Sequence, residues 1–208
     1  MITSVFNKSK PINFIIVFFI TLLAFLIARI SLMNEPFTMA FILKQITLFF
    51  VAYTSILLLD FIVNKNSLTL NNNYEILLFS LFLLFITQTT ISSKVLVSNF
   101  FVLLGLRRII SLRSQKDVKK KLFDAAFWIA IATLFYFWSI LFFALIILSL
   151  ILYTDNNIRH WIIPFLGVFT VFIISVAASL VLYDSFFGIF DMSPQISYDF
   201  SNYNSLPY

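Results

Sequence analysis

The sequence predicts an all-α membrane protein, a polytopic bundle of about seven transmembrane helices whose central helices are short and paired. Hydrophobic residues make up 61% of its 208 residues and charged residues only 11%, whereas a soluble domain is roughly half apolar and a quarter charged. A domain of this size cannot bury that excess in one core. Apolar runs such as residues 76–86 do not alternate with polar residues, as the strands of a membrane barrel would. The backbone is therefore expected to satisfy its hydrogen bonds in helices.

Two long apolar runs predict the first two membrane helices. Residues 11–30 reach the roughly 20 residues that a full span needs. Lys8 and Lys10 precede this run, but no small-residue cleavage site follows it, so we interpret it as a retained span and not as a signal peptide. After a short loop, residues 37–63 predict the second span, and the asparagine-rich residues 64–75 predict a loop.

The next two apolar runs, residues 76–86 and 95–106, are short for full spans. Polar extensions could complete them if they face protein: residues 87–90 on the first run, and Arg107 with Arg108 on the second. The following segment, residues 111–124, is predicted to be the most basic loop in the chain. Its cations are Arg113, Lys116, Lys119, Lys120 and Lys121.

Residues 125–153 form the ambiguous run. As one helix they would measure about 43 Å, against a hydrocarbon core of about 30 Å. The run could tilt strongly, or break near Trp138 and Ser139 into a hairpin of two short helices. Residues 161–183 predict the last span, with Pro164 in its first turn.

Positive charge favours the hairpin. With the N-terminus in the cytoplasm, Lys65 and the basic segment fall inside, as the positive-inside rule requires. A hairpin also places Arg159 inside, whereas a single helix places it outside. Seven crossings are therefore favoured over six. Residues 1–183 are predicted to form the membrane domain, and residues 184–208 an aromatic periplasmic tail.

Four stretches of the sequence have a recognisable pattern. The longest is NFFVLLGLRRIISLRSQKDVKKKLFDAAFWIAIATLFYFWSILFF, and the others are MITSVFNKSKPINF, DFIVNKNSLTLNNNYEILL and HWIIPFLG. Together they resemble an uncharacterised family of flavobacterial (Bacteroidota) multi-pass inner-membrane proteins. The resemblance implies a bacterial inner membrane. Because family members are longer, it also implies that this chain is an N-terminal portion with further spans after Tyr208. A proline that the family often has near the position of Trp138 supports the hairpin. No activity is implied.

A charged cluster is predicted at the outer membrane surface. Arg29, Lys44 and Lys94 lie near that surface, with Glu35 in the first outer loop. Three cations could clamp the phosphate or pyrophosphate of a lipid-linked sugar donor, with Glu35 as a candidate catalytic base. The alternative is that Arg29 and Lys44 extend to the headgroups and pair loosely with Glu35.

Two charged features are predicted on the inner side. Asp60, near the end of the second span, is expected to form a structural ion pair with Arg107 or Arg108. A proton relay is the alternative, but a relay usually needs a chain of such groups. The basic segment is expected to fix the topology, to lie along the anionic inner leaflet, or to dock a cytoplasmic partner.

The residue inventory limits the chemistry. The chain has no cysteine and one histidine, His160, and it lacks Gly-rich phosphate loops, so no metal or other cofactor is expected. Because the cations flank membrane segments, the predicted partners are lipids and other membrane or envelope proteins, not nucleic acid. The sequence favours a non-catalytic binding or assembly subunit in envelope biogenesis, secretion or lipid handling. The alternatives are a polyprenyl-linked sugar transferase or polymerase, and a transporter.

Overall fold

The computed structural model of the protein describes residues 6–30, 38–69, 72–153, 158–186 and 188–189, and none of these residues lies in a β-strand. Eight α-helices follow one another along the described chain: α1 Pro11–Ile30, α2 Met39–Lys65, α3 Tyr74–Phe85, α4 Thr87–Ile91, α5 Ser93–Ser111, α6 Val118–Phe135, α7 Phe143–Tyr153 and α8 Ile158–Tyr183. Two 3₁₀ helices, Leu112–Ser114 and Phe137–Phe142, precede α6 and α7 respectively.

Four of the described helices are long and apolar enough to cross a membrane. These segments are Pro11–Arg29, Met39–Lys65, Ser93–Ser114 and Ile158–Tyr183. The all-α prediction is confirmed for the described residues, and these four helices support the prediction of a membrane protein. The helices between them are shorter: α3 has 12 residues, or about 18 Å at 1.5 Å per residue.

The pattern of exposed and buried side chains on α1 fits a helix that faces lipid. Its large apolar side chains face outwards at helical spacing: Ile12, Ile15, Phe19, Leu23 and Leu26. Its opposite face is buried and consists mostly of small or polar residues: Asn13, Val17, Thr21, Ala24 and Ala28. Small residues let membrane helices approach closely, whereas such an apolar outer face would be unfavourable in water. Phe19, for example, is 61% exposed and Thr21 is fully buried.

The Cα positions divide the chain into two compact units, Met1–Phe172 and Ile173–Tyr208. The first unit contains two apolar clusters. One joins α1, α2, α3 and the start of α5 through residues such as Val17, Ile56 and Ile76. The other joins the end of α5 with α6 and α7 through Leu122, Ile129 and Ile146. Helix α5 therefore contributes to both clusters.

The described part of the second unit contains the last turns of α8 and a short turn after it. Ser179 Oγ donates to the carbonyl oxygen of Ser185 at 2.7 Å and accepts from the backbone N–H of Ile189 at 3.3 Å. This serine therefore ties the turn to the helix. Most of the predicted aromatic tail lies outside the described residues.

The long run of residues 125–153 is broken, as the hairpin hypothesis expects. Helix α6 ends at Phe135, and the 3₁₀ helix that follows contains Trp138 and Ser139. Helix α7 then runs back towards the start of α6. This direction is shown by a hydrogen bond that Gln115 Nε2, just before α6, donates to the carbonyl oxygen of Tyr153 at the end of α7. The two ends of this segment thus lie on the same side of the unit.

Two boundaries differ from the sequence prediction. Residues 111–124 are not one loop: Leu112–Ser114 form a 3₁₀ helix, and α6 already begins at Val118. Arg107 and Arg108 do extend α5, which ends at Ser111. Lys119, Lys120 and Lys121 therefore lie in the first turns of a helix. The physical reason is that the run after Asp117 contains strong helix formers. Residues 87–90 do not extend α3 but belong to α4, a separate short helix.

A hydrogen-bonded pair of buried serines joins α5 to the 3₁₀ helix between α6 and α7. Ser98 Oγ donates its one hydrogen to the carbonyl oxygen of Ala132 at 3.0 Å, so Ser139 Oγ must donate to Ser98 Oγ across 2.6 Å. Ser98 is 1% exposed and Ser139 is 4% exposed.

Ser98→Ala should therefore destabilise the protein by about 1–2 kcal/mol, because it leaves the Ser139 hydroxyl buried without its acceptor. Ser139→Ala is the control and should cost less, because Ser98 keeps its bond to Ala132. Thermal unfolding of the two variants in the same detergent measures the difference. Equal losses would contradict this assignment of donor and acceptor.

Candidate functional site

An open cleft of about 740 Å³ lies where α2 ends and α5 gives way to α6. The end of α2 contributes Lys65, Asn66 and Ser67. The opposite wall comes from the end of α5, the 3₁₀ helix after it, the turn before α6 and the first turn of α6. It includes Ser111, Arg113, Ser114, Lys116 and Lys121. Packing of α2 on α5 brings these two chain segments together. We call this feature the basic cleft.

The basic cleft concentrates positive charge. Four of its lining side chains are cationic, Lys65, Arg113, Lys116 and Lys121, and the described lining contains no carboxylate. Both nearby acids have a cation partner outside the cleft lining, and Asp117 also attracts Lys121. Asp124 Oδ2 lies 3.0 Å from Arg108 Nη2, and Asp117 Oδ1 lies 4.0 Å from Lys120 Nζ. The cleft is thus suited to an anion.

Lys121 is the most constrained cation of the cleft. Its Nζ donates to the carbonyl oxygen of Ser111 and to Ser114 Oγ, both at 2.7 Å. Desolvation by burial lowers the pKa of Lys121, the Asp117 carboxylate opposes that change, and the cations Arg108, Lys116 and Lys65 add to it. An ammonium group has three hydrogens, so one N–H is left for a ligand.

The backbone at the rim of the cleft is strained. Ser67, Gln115 and Asp117 have φ values of 50°, 53° and 51°, in the left-handed region that non-glycine residues rarely adopt. Ser67 lines the cleft itself, and the other two flank Lys116. Such strain concentrates at functional sites.

Arg29, a predicted phosphate ligand, connects three helices. Its Nε donates to Gln45 Oε1 of α2, and its Nη1 donates to the carbonyl oxygen of Thr90 in α4 at 2.8 Å. Its guanidinium carbon also lies 4.8 Å from the centre of the Phe25 ring. We call this arrangement the arginine clasp. Arg29 Nη2 is buried without a hydrogen-bond partner among the described residues.

The other members of the predicted outer cluster are not part of the clasp. Lys44 lies one position before Gln45 and is exposed, as is Lys94 in the first turn of α5. Glu35, the candidate catalytic base, lies outside the described residues. The described part of the cluster therefore contains one arginine held by protein groups and two exposed lysines.

Asp60 has a different neighbour from the one that the sequence predicted. Among the described residues neither Arg107 nor Arg108 forms an ion pair with it: Arg108 pairs with Asp124, and the Arg107 guanidinium lies 4.8 Å from the Phe61 ring centre. The carboxyl group of Glu75, at the start of α3, lies close to Asp60 instead. Asp60 Oδ1 and both Glu75 carboxyl oxygens are buried.

Sequence reasoning therefore missed two associations. Lys65 belongs with the basic segment, and Glu75 belongs with Asp60. Neither has a local signal, because each pair is far apart in sequence and meets only through helix packing. Lys119 and Lys120, by contrast, are exposed on α6 and do not line the basic cleft. The described residues contain no group of three potential metal ligands.

No protein-family model, curated protein or solved structure matches this chain. The relationship to the flavobacterial family stays a prediction.

Proposed function

We propose that the protein is a non-catalytic subunit of the bacterial inner membrane that binds an acidic partner or anionic lipid at its basic, cytoplasmic end. The observation that supports this proposal is a division among the polar groups: some join helices to one another, and others are exposed cations near the start of α6. The arginine clasp, the Ser98–Ser139 pair and the Arg108–Asp124 ion pair all join helices to one another. These groups support a scaffold. By contrast, Arg113, Lys116, Lys119 and Lys120, at and just before the start of α6, are exposed.

The exposed lysines of α6 are the natural contact for a protein partner. Lys120 has 83% of its side chain exposed and Lys119 lies beside it. Exposed charges of one sign steer an acidic partner and set its orientation. A binding or assembly role in envelope biogenesis, secretion or lipid handling fits such a surface.

Charge reversal tests the protein-partner part of the proposal. The full chain, purified in mild detergent, should carry a stoichiometric partner, and Lys119→Glu with Lys120→Glu should release it while the protein still inserts. Lys44→Glu is the control, since it reverses an exposed charge near the start of α2 and leaves the α6 lysines intact. A chain that purifies alone, together with loss of an envelope glycan in Lys44→Ala cells, would favour the transferase alternative.

We also propose seven crossings with the N-terminus and the basic cleft in the cytoplasm, since this places the most basic segment on the inner side. The chain has no cysteine, so single cysteines can report the topology. In intact cells a membrane-impermeant maleimide should label Asp184→Cys but neither Lys119→Cys nor Tyr153→Cys, whereas all three should react after lysis. Protection of Asp184→Cys would instead indicate six crossings, and labelling of Lys119→Cys would reverse the orientation.

A further inference from the structure

The position of the basic cleft along its helices indicates the depth of its ligand. Lys65 is the last residue of the apolar segment Met39–Lys65, and Ser111 and Ser114 end the segment Ser93–Ser114. A cleft formed where two membrane-spanning segments end lies at the boundary between hydrocarbon and water. Lipid phosphates lie at that depth, and lysine and arginine near helix ends reach them readily.

The chemistry of the lining fits a phosphate group. Phosphate needs several donors that converge from different directions, and here they come from two chain segments. Lysine supplies point charges and arginine supplies a planar fork. The hydroxyl groups of Ser67, Ser111 and Ser114 add neutral hydrogen-bonding groups to the same cleft. Its volume of about 740 Å³ is within the range of small-molecule sites.

Lys121 links the cleft to the fold. Two of its hydrogens are held by Ser111 and Ser114, so its ammonium group is positioned without a ligand. Arg108, Lys116 and Lys65 repel it, and Asp117 attracts it. A bound anion would offset this concentration of like charge.

We propose that the basic cleft is a specific binding site for the phosphate of an anionic membrane lipid, held by Lys65, Arg113, Lys116 and Lys121. This inference rests on the proposed function and deepens its lipid-binding part. It is distinct from a general attraction of basic residues to the inner leaflet, because it requires these four side chains and not their neighbours. It is also distinct from the docking of a protein partner on Lys119 and Lys120.

The experiment uses the full chain in a neutral detergent, titrated calorimetrically with dihexanoyl phosphatidylglycerol. The double variant Lys65→Gln/Arg113→Gln should weaken binding about tenfold or more, because charge-assisted hydrogen bonds contribute strongly to such recognition. The matched control Lys119→Gln/Lys120→Gln removes the same charge outside the cleft and should change the affinity by less than about twofold. Equal losses in both double variants would overturn the proposal, as would a wild-type chain that binds no phosphatidylglycerol.

Lys65 and Arg113 are chosen because both side chains are exposed and their loss leaves the Lys121 hydrogen bonds in place. Retained thermal stability of the double variant would show that the fold persists. Lys121→Arg is the second variant. Because burial and neighbouring cations lower the pKa of Lys121, wild-type affinity should fall as the pH rises, beginning below the ordinary lysine pKa. Arginine stays protonated, so the affinity of the Lys121→Arg variant should not decrease in this pH range. A pH profile equal to that of the wild type would contradict a direct role of Lys121.

Further probes distinguish the source of the phosphate. Dihexanoyl phosphatidylcholine carries a compensating positive charge and should bind more weakly than phosphatidylglycerol. Inorganic phosphate at millimolar concentration should compete weakly. If inorganic phosphate binds more tightly than the lipid, the ligand is soluble and the lipid assignment fails. Partner capture through Lys119 and Lys120 would be unaffected by that result, so failure of the lipid proposal can be told from failure of the protein-binding proposal.

Discussion

Gly167→Ala is expected to lower the stability of the protein by about 1–3 kcal/mol, although alanine favours helices. An added Cβ at Gly167 would lie 2.8 Å from the carbonyl oxygen of Phe123, 3.0 Å from Ala126 Cβ and 3.3 Å from the Phe127 nitrogen. Each of these atoms is part of the α6 backbone or fixed directly to it. None can rotate away, so α8 would have to move from α6.

Gly105→Ala is the matched control for this prediction. Its added Cβ would lie 2.9 Å from Ile129 Cγ1, part of a side chain that can move, and 3.3 Å from the carbonyl oxygen of Ala125. Both substitutions gain the same helix propensity, so their difference reports the close contact. Thermal unfolding in detergent should give a lower midpoint for Gly167→Ala. The reverse order would mean that α8 does not pack on α6 through Gly167.

The helices could be predicted from the sequence because lipid solvation imposes long apolar runs with few exceptions. The break at residues 136–142 was predictable for a related reason, since residues 125–153 are too long for one ordinary crossing. Helix ends were less predictable. Residues 111–124 were expected to form a loop, yet Leu112–Ser114 form a 3₁₀ helix and α6 already begins at Val118.

The candidate site was only half predictable. Periodicity and charge placed Lys65 and the basic segment on one side of the membrane, but the meeting of Lys65 with Lys121 depends on how α2 packs against α5. Arg29 illustrates a second limit. Hydropathy placed it at a membrane surface, where a lipid phosphate is a reasonable partner. The structure adds a contact that the sequence could not indicate, the carbonyl oxygen of Thr90 in α4, because α3 ends at Phe85 and α4 is a separate short helix.

The separation of α4 from α3 makes Arg29 important for the fold, and we expect a large loss of stability when Arg29 is replaced. Helix α4 has five residues, so most of its carbonyl groups have no partner within the helix. Arg29 donates to one of them, that of Thr90, and also to Gln45. Arg29→Met would remove a charged donor from both acceptors and should cost about 2–4 kcal/mol. Arg29→Lys keeps the charge but not the planar, forked guanidinium group, so its stability should lie between those of Arg29→Met and the wild type.

Lys44→Met tests whether Arg29 acts in the fold or in a phosphate clamp. Lys44 is exposed, and loss of an exposed charge usually changes stability by less than about 0.5 kcal/mol. If Arg29 holds α1, α2 and α4 together, unfolding experiments should show a large loss for Arg29→Met and almost none for Lys44→Met. If instead both variants unfold like wild type but bind pyrophosphate more weakly, Arg29 and Lys44 form the outer phosphate site and the clasp does not stabilise the fold.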